Sequence, residues 1–190
     1  MRTCDILEKS QAGEILAGQE LVHLLSLAPD SADAYAVMAE ACRVSKEVSD
    51  GQAEVHAQFA INLAPCNCDC LFCSFAKVNG VFQEATELGV DDLIRYTQQF
   101  EADGANAVFM MATAHFSFGR YIELAQEVRR NLKPETTLIG NVGDQSLEHA
   151  VQLKEAGFAG VYHALRLREG TDTTLSPAKR RESIRNFQEA

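Results

Sequence analysis

The sequence has no run of eighteen or more uncharged apolar residues, so no segment reads as a membrane-spanning helix. Its first residues, Met1-Arg2-Thr3-Cys4-Asp5, lack the basic and apolar stretches of a secretory signal, and a cytosolic (cytoplasmic) protein is expected. Basic charge is scarce: 17 Lys and Arg stand against 27 Asp and Glu, a formal net charge of −10. Neutralising phosphate needs clustered cations, so neither nucleic acid nor an anionic membrane surface is expected as a partner. The one basic stretch, Lys179 to Arg185, reads as a solvated helix face. Cysteine is also missing from most of the chain. Four of the six cysteines lie between Cys66 and Cys73 and none follows, whereas a disulfide framework would be spread out. Crowded thiols in a reducing compartment point to metal; Cys4 and Cys42 stand apart and read as packing residues.

With 46% hydrophobic residues among 190, the chain can bury one core. The first fifty residues read as helices. Ile15, Leu16, Leu21, Leu24 and Leu25 form one apolar group, Tyr35, Met38, Ala41 and Cys42 the next, with Pro29-Asp30-Ser31 between them. The rhythm then changes to short apolar runs alternating with amphipathic helical stretches, the pattern of βα units on a parallel sheet. The runs are Phe59 to Ala64, Ala107 to Met111, Thr137 to Gly140 and Ala159 to Ala164. The helices between them are expected at Asp91 to Asp103, around Tyr121 to Leu132 with Pro134 beyond its end, and around Leu147 to Lys154 with Gly157 as stop. Ser176-Pro177 opens a last helix as N-cap and first helical residue.

Four consecutive units predict an α/β fold, a partial TIM-like (β/α) barrel, in which function collects in the loops after the strands. The expected division is a helical leader over 1–54 and the barrel core over 55–190. A barrel of four units leaves a parallel edge strand uncovered, so the expectation is a truncated protein or one that pairs with another chain through that edge.

The segment Cys66-Asn67-Cys68-Asp69-Cys70-Leu71-Phe72-Cys73 follows the first run directly. Cys66, Cys70 and Cys73 are spaced C-x3-C-x2-C, with Cys68 inside the first gap. Three thiolates turned inward by a short loop can hold three corners of a cubane and leave the fourth iron open; soft sulfur donors suit iron–sulfur centres or zinc. Zinc on all four cysteines would need C-x-C-x-C-x2-C, which is compressed for a structural site and has no distant second pair of ligands.

This spacing, on this loop, ahead of a βα series, resembles the radical S-adenosylmethionine (SAM) superfamily. Ile61-Asn62-Leu63-Ala64-Pro65 running into Cys66, followed by Cys73-Ser74-Phe75-Ala76, is similar to the group holding biotin synthase, HydE, methylornithine synthase and the tyrosine lyase of thiazole synthesis. The resemblance implies a [4Fe–4S] cluster on Cys66, Cys70 and Cys73 and reductive cleavage of SAM to a 5′-deoxyadenosyl radical that acts on a small-molecule substrate. It further implies a reductant such as ferredoxin or flavodoxin as partner. Phe72 falls where the family places an aromatic residue near the adenine. Met111, Ala112 and Thr113 occupy the stretch whose backbone meets the SAM amino group, and no acidic residue stands there.

After the fourth run, Leu165-Arg166-Leu167-Arg168-Glu169-Gly170-Thr171 resembles the Arg and Glu pattern that meets the SAM carboxylate and ribose. Alternation points Arg166 and Arg168 the same way while a bulge would separate them; Arg168 with Glu169 is the favoured pair. Asn141 and Asp144, after the third run, are further cofactor or substrate contacts. His115 and His163 read as hydrogen-bonded neighbours, and Cys68 as a non-ligand. With no cysteine beyond Cys73, a second, sulfur-donating cluster of the biotin synthase kind is not expected, which leaves lyase, mutase or maturation-type chemistry. The alternative reading is an iron–sulfur binding or electron-transfer fragment without SAM chemistry.

Overall fold

A computed structural model describes residues 2–166 and 168–190; Met1 and Leu167, the latter inside the Arg/Glu segment, lie outside the described residues. The chain divides into two compact units, Met1–Ala53 and Glu54–Ala190.

The first unit holds α1 (Thr3–Gln11), α2 (Gly18–Leu25) and α3 (Ala32–Val48). Ser31 caps α3, its hydroxyl accepting from the Ala34 N–H at 3.1 Å. Polar pairs hold the three helices together. The Thr3 hydroxyl donates to Asp33 at 2.7 Å, Lys9 pairs with Glu20 at 2.6 Å, and Gln11 donates to Glu40 at 3.2 Å. Ile6 is buried, but the apolar residues that mark this region in the sequence are not. Ile15 is 97% exposed in the turn between α1 and α2, and Leu21, Leu25, Tyr35 and Met38 are exposed on their helices.

The second unit is α/β. Strands β1 (His56–Ala60), β4 (Ala107–Met111), β5 (Thr137–Asn141) and β6 (Gly160–Val161) form a parallel sheet in the order β1-β4-β5-β6. The crossovers run through α4 (Val90–Ala102), α5 (Phe118–Asn131) and α6 (Leu147–Glu155), and α7 (Pro177–Glu189) follows β6. The two-residue strands β2 (Asn62–Leu63) and β3 (Thr86–Glu87) pair antiparallel beside it. The expected parallel sheet of four βα units is what the chain forms.

Serine starts three of these helices. Ser117, Ser146 and Ser176 each accept from the backbone N–H three residues on, and Pro177 takes the first helical position of α7, where a missing N–H costs nothing. The helices cover one face of the sheet. Val108, Met110, Leu138 and Phe59 meet Leu93, Tyr121, Leu124, Val128, Leu153 and Phe158 in one continuous core, each full burial stabilising by about 1.5–3 kcal/mol. The Tyr121 hydroxyl, buried there, donates to the Met110 carbonyl at 2.8 Å.

Two strand expectations are corrected. The run Phe59 to Ala64 is not one strand: β1 begins at His56, and the chain leaves the main sheet at Ile61, whose N–H still donates to the Met111 carbonyl while its own carbonyl accepts from Leu88 N. Hydrophobic continuity conceals this change of partner. The run Ala159 to Ala164 pairs only at Gly160–Val161, with one ladder bond beyond each end, and Tyr162, just past it, is 62% exposed. A third correction concerns Lys179 to Arg185. It is helical, but Arg180 and Ser183 are buried, so it is not a solvated face throughout.

Candidate functional site

The carboxyl ends of β1, β4, β5 and β6 deliver four segments to one side of the sheet, where parallel α/β folds gather their ligand sites. They enclose a cavity of about 140 Å³. Cys66, Cys68, Cys70, Cys73 and Phe75 line it from the first segment, Met111 to Ala114 from the second, Asn141 to Gly143 from the third, and Arg166, Leu175 and Arg180 from the last. Asn62 closes the wall. Its side-chain NH2 donates to Thr113 Oγ1 at 2.8 Å and its carbonyl accepts from Thr113 N at 2.9 Å, clasping the strand before the cysteines to the loop after β4. The third and second segments touch at backbone distance. A Cβ on Gly143 would stand 2.6 Å from the Ala114 carbonyl oxygen, so only glycine fits.

The cysteine loop is held from both ends. Cys66 N donates to the Phe75 carbonyl at 2.7 Å, and the Cys66 carbonyl accepts from Lys77 N at 3.0 Å. Thr174 N donates to the Cys68 carbonyl at 3.0 Å, and Leu71 N to the Asp172 carbonyl at 3.0 Å. Asp69 takes a left-handed φ of 43° to make the turn, and its carboxylate accepts from Val78 N. Cys68 and Cys70 are buried, Cys66 and Cys73 half-buried. A hydrogen bond from the Cys68 side chain holds the Cys66 thiol down to about 5, helped by backbone N–H groups of Cys68 and Ala114 and by His115. The same bond, with burial, pushes Cys68 up, so Cys68 keeps its proton and donates; burial also raises Cys70.

Opposite the thiols lies a charged assembly drawn from the loops after β5 and β6 and from α7. Arg180, its side chain 4% exposed, brings Nε to 3.0 Å from Asp144 Oδ1 and 3.7 Å from Glu169 Oε1, and its guanidinium reaches the His163 ring at 3.0 Å. Glu169 Oε2 accepts from the Arg166 backbone N–H at 2.7 Å. Yet Arg180 Nε and Glu169 Oε1 are buried without a hydrogen bond of good geometry. Burial lowers the His163 imidazole to about 4, and the neighbouring Arg180 charge adds to this against the opposing pull of Asp144. His163 is therefore neutral and can accept from Arg180.

Among the residues singled out in the sequence, Cys66, Cys70, Cys73, Met111, Ala112, Thr113, Asn141 and Arg166 come together at the cavity. Asp144, His163 and Glu169 stand behind it in the charged assembly. Arg168 and Phe72 do not join them: Arg168 has a left-handed φ of 60° and pairs with Asp172 at 2.8 Å, and Phe72 is 60% exposed. That φ is the separation of Arg166 from Arg168 that strand alternation alone does not produce. Asn62, Gly143 and Arg180 were missed. Asn62 carries a sequence signal, a polar residue inside an apolar run; Arg180 sits among other charges in a helix and carries none.

The donor set fits an iron–sulfur cluster, since Cys66, Cys70 and Cys73 reach one cavity from a backbone-anchored loop. The far wall fits a polar ligand with a carboxylate, since two arginines line it.

No family model matches the chain, and no curated protein matches it in sequence. Solved structures do match in fold. Methylornithine synthase (PylB) aligns with a TM-score of 0.79 at 16% identity, over 96% of this chain and 55% of that one. HydG, a maturase of the [FeFe]-hydrogenase, aligns at 0.76 and 14% over 98% of this chain and 43% of its own. HydG from Carboxydothermus hydrogenoformans aligns at 0.75 and 14%, over 98% and 45%. The chain thus spans about half the length of the structures it matches. The chain shares the fold of HydG and of methylornithine synthase, the latter a member of the group that Asn62 to Ala76 resemble.

Proposed function

We propose that this chain carries the cofactor half of a radical SAM enzyme, with a [4Fe–4S] cluster on Cys66, Cys70 and Cys73 and SAM beside it. The observation that carries the reading is that these three thiols and the Arg166 and Arg180 guanidiniums line a single cavity at the carboxyl ends of parallel strands. When bound, the pair supplies one-electron cleavage of the sulfonium and hydrogen-atom abstraction from a small molecule.

The chain's own residues bind, orient and exclude water. Arg166 and Arg180 present forked donors to a carboxylate, and Glu169 orders both from behind. Asp144 and neutral His163 hold Arg180 in the cavity wall. Met111, Val142, Phe75 and Leu175 supply apolar wall, and the Asn62 clasp fixes the distance between the cysteine loop and the Met111 to Ala114 segment. Arg166 is proposed as the cofactor arginine rather than Arg168, a reading supported by its place in the cavity wall. The site falls wholly in the expected barrel core, 55–190, with 1–54 as helical leader. Ferredoxin or flavodoxin as electron donor, lyase, mutase or maturation-type chemistry and a cytosolic setting complete the proposal. No helix among the described residues is long and apolar enough to cross a membrane.

Low-temperature EPR of anaerobically reconstituted, reduced protein tests the reading. A [4Fe–4S]⁺ signal that changes on adding SAM, with 5′-deoxyadenosine released, is the expected result. A signal indifferent to SAM would leave the iron–sulfur module without SAM chemistry, and absence of any cluster would sink the proposal.

A further inference from the structure

Cys68 is the thiol that the cluster reading leaves unused, and it is not idle packing. Its Sγ lies 3.7 Å from His115 Nε2, and with Cys66 Sγ the three ligand atoms all fall within 4.8 Å of one another. Among the described residues this is the one group of three or more His, Cys, Asp and Glu side chains so closely gathered; Cys70 and Cys73 line the same cavity without joining it. The spacing suits a single ion. Around tetrahedral Zn²⁺, with sulfur at ~2.3 Å and nitrogen at ~2.0 Å, ligand atoms stand roughly 3.5–3.8 Å apart. Corners of a cubane hold thiolates farther from one another than that.

The arrangement is built rather than chanced upon. Hydrogen bonds to the carbonyls of Cys66 and Cys68 anchor the two cysteines, from Lys77 and Thr174 respectively. His115 arrives from the loop after β4, far away in sequence, and is exposed, so a metal can enter from its side. Two thiols and one imidazole are a donor set that soft-to-borderline ions take in preference to Mg²⁺ or Ca²⁺.

We propose that Cys66, Cys68 and His115 form a mononuclear site for a thiophilic divalent ion, Zn²⁺ being the natural occupant, with a fourth position open. Because Cys66 belongs to this set and to the cluster set, a chain holding the ion has no free Cys66 for a cluster. Binding displaces the proton that Cys68 holds towards Cys66, as thiolate coordination requires. The site stands whether or not the chain binds SAM.

The test is a Co²⁺ titration of the cluster-free, chelator-washed chain under reductant and without oxygen. The expected result is one equivalent bound per chain, with thiolate-to-cobalt charge-transfer and tetrahedral d–d bands. Those bands should be lost in Cys68→Ala and in His115→Ala, and kept in Cys70→Ala and Cys73→Ala. His115 is exposed, so its replacement leaves the fold intact, and circular dichroism confirms this for each variant. Either no tetrahedral bands in the parent, or bands that survive both Cys68→Ala and His115→Ala but disappear in Cys70→Ala or Cys73→Ala, would overturn the site. The cluster reading is judged separately, by EPR of reconstituted protein.

Discussion

The two walls of the cavity are made in opposite ways. The thiol wall comes from eight consecutive residues, Cys66 to Cys73, whose backbone is tied down by bonds to Phe75, Lys77, Asp172 and Thr174. The charged wall is assembled from Asp144 after β5, His163 and Glu169 in the loop after β6, and Arg180 in α7, and exists only where those segments meet. The first is a local motif that tolerates partial burial because a thiol costs little to bury. The second puts a guanidinium and a carboxylate at 4% and 1% exposure, which is tolerable only when each answers the other. A local motif therefore carries chemistry with little bearing on stability, and a dispersed one carries both.

The sharpest break of that contrast is in the thiol wall. Cys73→Ala is expected to abolish iron retention after reconstitution while leaving the urea midpoint of the cluster-free protein unchanged; a large loss of stability would deny the wall its local character. In the charged wall the expectation reverses. Arg180→Met removes the guanidinium between Asp144 and Glu169, leaving only His163 beside the first and Arg166 beside the second, and chemical denaturation should show a loss of about 3–5 kcal/mol.

A smaller effect follows from His163, whose folded value lies below its unfolded one, near 6.5. Between about 4 and 6.5 the unfolded chain binds the extra proton, so the stability that neutral His163 contributes is complete above 6.5 and is lost as pH falls towards 4. His163→Gln should flatten the stability–pH curve in that window by on the order of 1–3 kcal/mol relative to the parent. An unchanged slope would show that the imidazole is charged in the fold.

The finest distinction is between the two arginines of one loop. Arg166→Gln should weaken SAM binding to the cluster-loaded protein about tenfold or more, as expected for removing a charge-assisted bond. Arg168→Gln, which removes only the exposed pair with Asp172, should leave binding and stability within error of the parent. Equal losses in both variants would return Arg168 to the site.

Much of this was legible in the chain before folding. The helix α5 announces itself through Tyr121, Leu124, Ala125 and Val128, all of which are buried, and Ser176-Pro177 marks the start of α7 to the residue. The cysteine spacing named the loop and its place after the first strand. Misreadings arose where contiguity and proximity part. An apolar run does not reveal that Ile61 changes partner, and helical periodicity could not single out Arg180 from Lys179 and Arg181. In the first unit, Ile15, Leu25 and Tyr35 look like core and are exposed, while Glu20 and Glu40 are buried in ion pairs.

What the sequence determined alone is whatever depends on neighbours a few residues away: helix caps, strand periodicity, and three thiols that one short loop can turn towards a common point. Tertiary structure alone decided which arginine faces the cavity, that Asn62 clasps Thr113, and that His115 stands beside Cys68. The physical reason is that such contacts are set by the parallel sheet, which brings the carboxyl ends of strands separated by some thirty to fifty residues of sequence within hydrogen-bond reach.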